Sequence, residues 1–215
     1  MTKKYISYGE MNRITESVLA GANIPTVWQG FVNKVDIDAL IEFDYDLEIA
    51  WKDIDYLAPG ETVFAAITPK HKRIYMNETK KTLFMEKMGT MNFSKAHELG
   101  HWILHITEQN AYEQLTFEEH ETFFCRSALK KPLQEIQADM FAACLLMPKD
   151  IIAGVINELK QRGQVTFPDL YRLSGEFEVS ISALTIRVQE LKLLCIADKM
   201  IYHSEAEAMG QLSLL

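Results

Sequence analysis

The pattern of hydrophobic and polar positions predicts a mixed N-terminal part. Residues 7–20 have the spacing of an amphipathic helix, which the segment Ala22-Asn23-Ile24-Pro25 ends. A second, short helix is predicted from Asp36. From Leu47 to Ile54 apolar and polar residues alternate, as they do in a half-buried strand. The period of the pattern therefore changes from helical to extended within the first quarter of the chain.

A β-hairpin is predicted next. Its arms are Thr62–Thr68 and Arg73–Asn77, and the run Pro69–Lys72 between them has turn composition. The second arm is short enough to form the edge of a small antiparallel sheet.

Helices are predicted to dominate beyond the hairpin. One helix extends from the capping residues 89–92 to about Ile106, and another from Leu133 to Met147, where Pro148 follows. Residues 107–131 form a polar, irregular connection between them, and further helical segments are followed by a polar tail after Asp198. The whole pattern predicts an α+β fold, in which a small antiparallel sheet packs on helices and a helical C-terminal portion follows.

Composition narrows the class of protein. The chain has 215 residues, a formal net charge of −8 and 48% hydrophobic residues, which excludes a disordered chain. Three cysteines are too few for a disulfide scaffold, and the acidic balance argues against broad binding to a nucleic acid backbone. No run of 18 apolar residues occurs and no apolar segment follows the charged N-terminus, so we expect a cytoplasmic protein without membrane contact.

The most informative segment is His97-Glu98-Leu99-Gly100-His101. Within a helix His97 and His101 lie one turn apart on the same face, so both imidazoles can bind one metal ion. Glu98 flanks that face and can act on an attacking water without binding the metal. Gly100 costs about 1 kcal/mol of helix propensity relative to Ala, which indicates the close approach of another element.

A catalytic zinc ion requires three protein ligands and an open position, so a third ligand is expected on a second helix. Glu135 and Asp139 lie four residues apart on one face of the helix predicted from Leu133, beside an apolar stripe that includes Phe141. Glu135 would bind the metal, and Asp139 would accept a hydrogen bond from the distal nitrogen of a ligand histidine. A solvated acidic edge is the alternative, and the HExxH segment upstream favours the metal site.

These two segments resemble a known family. HELGH, followed about thirty residues later by EIQADMFAACLLMP, is similar to the pattern of the ImmA/IrrE family of zinc metallo-endopeptidases. The resemblance implies a zincin-like, gluzincin-type core, which we expect to occupy residues 1–150. Residues 151–215 would form a helical C-terminal extension with a helix-turn-helix-like segment and the polar tail.

The resemblance also implies roles for individual residues. His97, His101 and Glu135 would be the ligands of one Zn²⁺ ion, Glu98 the general base, and Asp139 the acceptor that orients a ligand histidine.

Further candidates are less specific. An edge strand can bind an extended substrate through backbone hydrogen bonds, which makes Ile74, Tyr75 and Met76 candidate substrate-binding residues. Four candidates for stabilising the oxyanion remain open: Tyr75, Tyr112, His120 and Arg126. His105 continues the series of histidines but lacks the spacing of a three-histidine motif, so we interpret it as structural. His71 and His203 are expected at the surface.

The segment 169–194 resembles a helix-turn-helix, but its charges sum to −1, whereas a DNA reader presents a basic face. Packing of two amphipathic helices or docking of a protein is favoured, and no direct nucleic acid partner is expected.

Three functions follow as hypotheses. The leading one is a zinc-dependent endopeptidase that cleaves a helix-turn-helix repressor of a mobile element or a stress response, as the resemblance implies. The alternative is a non-proteolytic anti-repressor that sequesters its partner, with zinc in a structural role. A zinc hydrolase acting on a small molecule is a third possibility.

Overall fold

The N-terminal part is helical. The computed structural model describes residues 5–106, 123–126, 132–197 and 199–210. Helix α1 (Tyr8–Gly21) begins after Ser7, whose hydroxyl accepts a hydrogen bond from the backbone N–H of Glu10. Helix α2 (Ile37–Ala39) is capped in the same way by the Asp36 side chain and continues as a π-helical turn, Leu40–Asp44. Both predicted helices are therefore confirmed.

The main sheet has four strands among the described residues. They are β1 (Glu48–Lys52), β2 (Val63–Thr68), β3 (Arg73–Asn77) and β4 (Phe123–Arg126), arranged in the order β1-β3-β2-β4. β3 pairs in parallel with β1 and antiparallel with β2, and β2 pairs antiparallel with β4.

The strand order corrects two predictions. The hairpin of β2 and β3 is confirmed, but β3 is an interior strand and not an edge, and the sheet is mixed and not purely antiparallel. Ile74, Tyr75 and Met76 have partners on both sides, so their backbone groups are already paired and an extended substrate cannot add to them. β4 lies inside the segment predicted to be irregular. The described edge strands are β1 and β4.

Three helices follow the hairpin. They are α3 (Lys81–Glu86), α4 (Met88–His105) and, after β4, α5 (Leu133–Leu146). α4 packs against β2 and β4 on one side and against α5 on another. The two long helices that the sequence predicts for the metal site are thereby confirmed and adjacent.

The C-terminal part contains α6 (Lys149–Arg162), α7 (Phe167–Glu176) and α8 (Ile181–Glu190). The hairpin of β5 (Cys195–Ala197) and β6 (Met200–Tyr202) follows, and then the short helix α9 (Glu205–Ala208). β6 and α9 lie where only a polar tail was expected.

One hydrophobic cluster joins the elements. It includes Met11 of α1, Leu99 of α4, Phe141 of α5, Ile152 of α6 and Leu184 of α8. Side chains on both sides of residue 150 share this core, and the domain boundary there stays a prediction. Among the described residues, no helix combines the length and the apolar character that crossing a membrane requires.

Candidate metal centre

Helix α4 brings the two histidines of the HExxH segment together. His97 and His101 are fully buried, at 0% exposure, and their Nε2 atoms lie 3.0 Å apart. The spacing of four residues turns both rings toward the same side of the helix, as the sequence predicts.

Helix α5 supplies the third side chain. The Oε1 atom of Glu135 lies 3.2 Å from Nε2 of His101, and its Oε2 atom lies 3.4 Å from Nε2 of His97. All three potential ligand atoms lie within 4.8 Å of one another. Ligands that share one tetrahedral metal ion at 2.0–2.1 Å are separated by about 3.3 Å. The donor set therefore fits a single metal ion without rearrangement of the helices.

Asp139 contacts the same histidine from the other side. Its Oδ1 atom lies 3.0 Å from Nδ1 of His97, one turn of α5 beyond Glu135. Because a carboxylate accepts, Nδ1 of His97 donates to Asp139, which makes Nε2 the ring nitrogen that a metal ion would bind.

The carboxylates around the two histidines shift the pKa values of the site toward a positive charge. Burial alone would lower the pKa of His97, but hydrogen bonds with Asp139 and Glu135 and the charge of Glu98 raise that pKa to about 9. Burial would raise the pKa of Glu135, but hydrogen bonds with His101 and His97 lower it to about 2. Burial lowers the pKa of His101, and the Glu135 contact opposes this. The carboxylates around His97 therefore favour a positive charge at this site.

Glu98 is fully buried beside His97. It is not one of the three clustered ligand residues, and its negative charge acts on His97. The role of Glu98 as a carboxylate close to a metal ion stays a prediction.

Gly100 lies where α4 meets α5. An ideal Cβ atom at Gly100 would lie 3.0 Å from Cδ1 of Phe141, so the prediction that another element approaches this glycine is confirmed. The sequence assigned Phe141 only to the apolar stripe of α5, and its contact with Gly100 is set by the packing of the two helices.

Sequence reasoning missed a second support of α4. The Nζ atom of Lys95 is 2.6 and 2.8 Å from the two carboxylate oxygens of Asp38, and Lys95 is only 4% exposed. This ion pair ties α4 to α2 two residues before His97. A lysine inside an otherwise buried helical stretch was the only signal in the sequence.

His105 contacts the start of α5, and its structural role stays a prediction. Its Nε2 atom lies 3.3 Å from the backbone carbonyl oxygen of Gln134, at the start of α5. His71 is exposed, while His203 accepts a hydrogen bond from the backbone N–H of Val165 and so helps to hold the C-terminal hairpin.

Tyr75 does not face the centre. Ile74 and Met76 belong to the core cluster that contains Leu99 of α4, whereas Tyr75 packs on a separate cluster around Ile54. Successive side chains of a strand point to opposite faces of the sheet, so Tyr75 lies on the face opposite Ile74 and Met76, and its assignment to the oxyanion stays a prediction.

The other three oxyanion candidates stay predictions. Tyr112 and His120 lie outside the described residues. The backbone of Arg126 lies opposite Val63 in the pairing of β4 with β2.

The site consists of two histidines and a glutamate on two helices, with a second glutamate beside them. This is the type of site found in HExxH metallopeptidases. The comparison with protein families agrees with this class. The chain belongs to the family of the IrrE N-terminal-like domain, Peptidase_M78, whose model matches residues 59–189. The match includes α4 and α5 and extends to α8, which confirms the resemblance. Among curated proteins no match to the chain was found.

Proposed function

We propose that the protein is a zinc-dependent endopeptidase. The observation that carries the proposal is the convergence of His97, His101 and Glu135 on one point, with Glu98 beside them, in a chain of a peptidase family. Two imidazole nitrogens and one carboxylate are a donor set of catalytic zinc sites. Three protein ligands leave a fourth position open, whereas structural zinc sites are closed by four protein ligands.

Each residue would have a defined task. His97 and His101 present their Nε2 atoms, and Asp139 holds His97 in the tautomer that makes this possible. When bound, zinc supplies Lewis-acid activation of the attacking water and of the scissile carbonyl. Glu98 accepts the proton of the attacking water and donates it to the leaving amine.

An extended peptide substrate would pair with β4. Peptides add to the edge of a sheet through main-chain hydrogen bonds, and β4 is the described edge strand that packs against α4. This replaces β3, whose two sides are both paired. Binding through the main chain would leave the choice of substrate to side-chain contacts around the site.

The substrate would be a helix-turn-helix repressor of a mobile element or a stress response, in the cytoplasm. The family supports a protein substrate, and the packing of α8 supports a protein partner over DNA. A DNA-reading helix presents its N-terminal residues to base edges. Here an ideal Cβ atom at Gly89 would lie 2.6 Å from the backbone N of Ser180, so α4 covers the start of α8.

Glu98→Gln tests the proposal. The variant should keep one zinc ion per chain, measured by metal analysis. It should also lose cleavage of a candidate helix-turn-helix repressor, chosen from the genes that neighbour its own and followed by mass spectrometry. Cleavage at the wild-type rate would contradict the role of Glu98. Incubation of the wild-type protein with the same repressor, with and without a chelator, separates the alternative: fragments support a peptidase, and a stable complex without fragments supports a non-proteolytic anti-repressor.

A further inference from the structure

The contact between Gly100 and Phe141 joins the two helices that carry the metal ligands. We infer that Gly100 and Phe141 are positioning residues, which set the separation of α4 and α5 and thereby the spacing of the ligand atoms. The inference rests on the proposed metal site and adds a role for two residues outside it. Neither residue carries a ligand atom, and both would act through Glu135 and Asp139.

A methyl group at Gly100 fits only if Phe141 moves. An ideal Cβ atom there would lie 3.0 Å from Cδ1, 3.1 Å from Cβ and 3.2 Å from Cγ of Phe141. Such contacts are tighter than nine in ten real Cβ contacts, so the neighbour must move by a few tenths of an ångström. Gly100 thus lets the backbone of α4 rest directly on a ring of α5.

The Phe141 ring has little freedom to give way. It is fully buried within the main core cluster. Interiors are close-packed, so a displaced core ring pushes on its neighbours or on its own helix. One of the atoms in contact is Cβ of Phe141, which is fixed to the backbone of α5. An added methyl group at position 100 therefore acts on the separation of the helices as well as on the ring.

The separation of α4 and α5 sets two contacts between them: that of Glu135 with the histidines and that of Asp139 with His97. Glu135 and Asp139 are on α5 with Phe141, while the two histidines are on α4 with Gly100. The cross-helix distances are 3.2 and 3.4 Å for Glu135 and 3.0 Å for Asp139. Metal–ligand distances tolerate about 0.2 Å. A displacement of a few tenths of an ångström is therefore enough to disturb the ligand set.

The other glycines provide the comparison. All ten lie in the described part of the chain. Gly89 approaches Val179 and Ser180, and Gly154 approaches Trp28. Gly175, in the last turn of α7, has no neighbouring atom within 4 Å of its ideal Cβ position. Gly100 alone meets α5, and Gly175 is a matched helical control.

The test measures metal affinity in four variants: Gly100→Ala, Gly175→Ala, Phe141→Leu and the double variant Gly100→Ala/Phe141→Leu. Zn²⁺ affinity is measured by competition with a chromophoric chelator, and the absorption spectrum of the Co²⁺-loaded protein reports ligand geometry. G100A should bind zinc about tenfold or more weakly and change the Co²⁺ spectrum, the size of effect that supporting residues have at metal sites. G175A should stay within twofold of wild type. Urea unfolding of the metal-free proteins shows whether each variant is folded.

The double variant decides between positioning and simple loss of structure. Leu at position 141 is smaller than Phe, and its branched side chain can turn away from the new methyl group while Cβ stays in place. The double variant should therefore bind zinc less than tenfold more weakly than F141L. This comparison stands even if G100A alone does not fold. Wild-type affinity in G100A, or an equal loss from G100A in both backgrounds, would overturn the inference. Absence of zinc binding in the wild-type protein would instead contradict the proposed function itself.

Discussion

Nδ1 of His97 donates a hydrogen bond of 3.0 Å to Oδ1 of Asp139, across the interface between α4 and α5. This bond links His97, a candidate ligand on α4, to the helix that carries Glu135, so it orients the imidazole and joins the two parts of the candidate metal centre. It also makes the nitrogen on the ligand side of the ring a better donor to a metal ion.

Removal of this acceptor should weaken metal binding. We expect Asp139→Ala to lower zinc affinity by about 10–100-fold, because the tautomer and orientation of His97 are no longer held. Asp139→Asn keeps a carbonyl oxygen that can accept from Nδ1 and should lose less. Chelator competition measures both variants, and equal losses would show that charge matters more than orientation.

The ion pair of Lys95 and Asp38 should stabilise the fold. Asp38→Ala would leave the ammonium group of Lys95, which is 4% exposed, without its carboxylate partner. We expect a loss of about 1–3 kcal/mol in the free energy of unfolding, measured with urea. The double variant Asp38→Ala/Lys95→Met should recover part of this loss, because it removes the stranded charge. Additive losses would contradict the pairing.

Acid should weaken one contact at the end of the sheet. Asp55 accepts hydrogen bonds from Nδ2 of Asn77 at 2.7 Å and from Oγ1 of Thr79 at 2.8 Å. These bonds lower the pKa of Asp55 below its ordinary value of 3.8. A lowered folded-state pKa stabilises the protein above the unfolded-state pKa, and this contribution is lost as the pH falls through the folded-state value.

The wild-type protein should therefore exceed Asp55→Asn in stability at neutral pH, and the difference should shrink below about pH 4. Urea midpoints at a series of pH values measure this trend. A difference that does not change with pH would show that the carboxylate charge has no part in it.

A methyl group at Gly89 should be more harmful than at most helical glycines. Its ideal Cβ position is 2.4 Å from the backbone carbonyl carbon of Val179, which cannot rotate away as a side chain can. We expect Gly89→Ala to destabilise the protein by about 1–3 kcal/mol or more. Gly9→Ala, with no atom within 4 Å, is the control. Equal unfolding free energies would contradict the close packing of α4 on the α7–α8 turn.

Much of the candidate metal centre could be predicted from the sequence. The spacing of His97 and His101, and of Glu135 and Asp139, is a local property of a helix, so it determines which side chains share a face before any packing is known. Gly100, inside a predicted helix, likewise indicated a close contact with another element. The face of the sheet on which Tyr75 lies could also be predicted, because successive side chains of a strand alternate and Tyr75 is therefore opposite Ile74 and Met76.

The sheet could not be predicted in the same way. β1 pairs with β3, which follows it only after β2, and β4 comes from a distant segment to pair with β2. Pairings between strands far apart in the chain leave no period in the sequence, so β3 looked like an edge. The support of Lys95 by Asp38 depends on the same kind of distant contact.

By itself the sequence determined the two helices of the candidate metal centre, the face on which their histidine and acidic side chains lie, and the family. Only the tertiary structure decided which strand is an edge, which partner meets Gly100 and how close the ligand atoms come. The physical reason is that side-chain direction within a helix or strand follows from local backbone geometry, whereas the distance between elements is the outcome of packing the whole core.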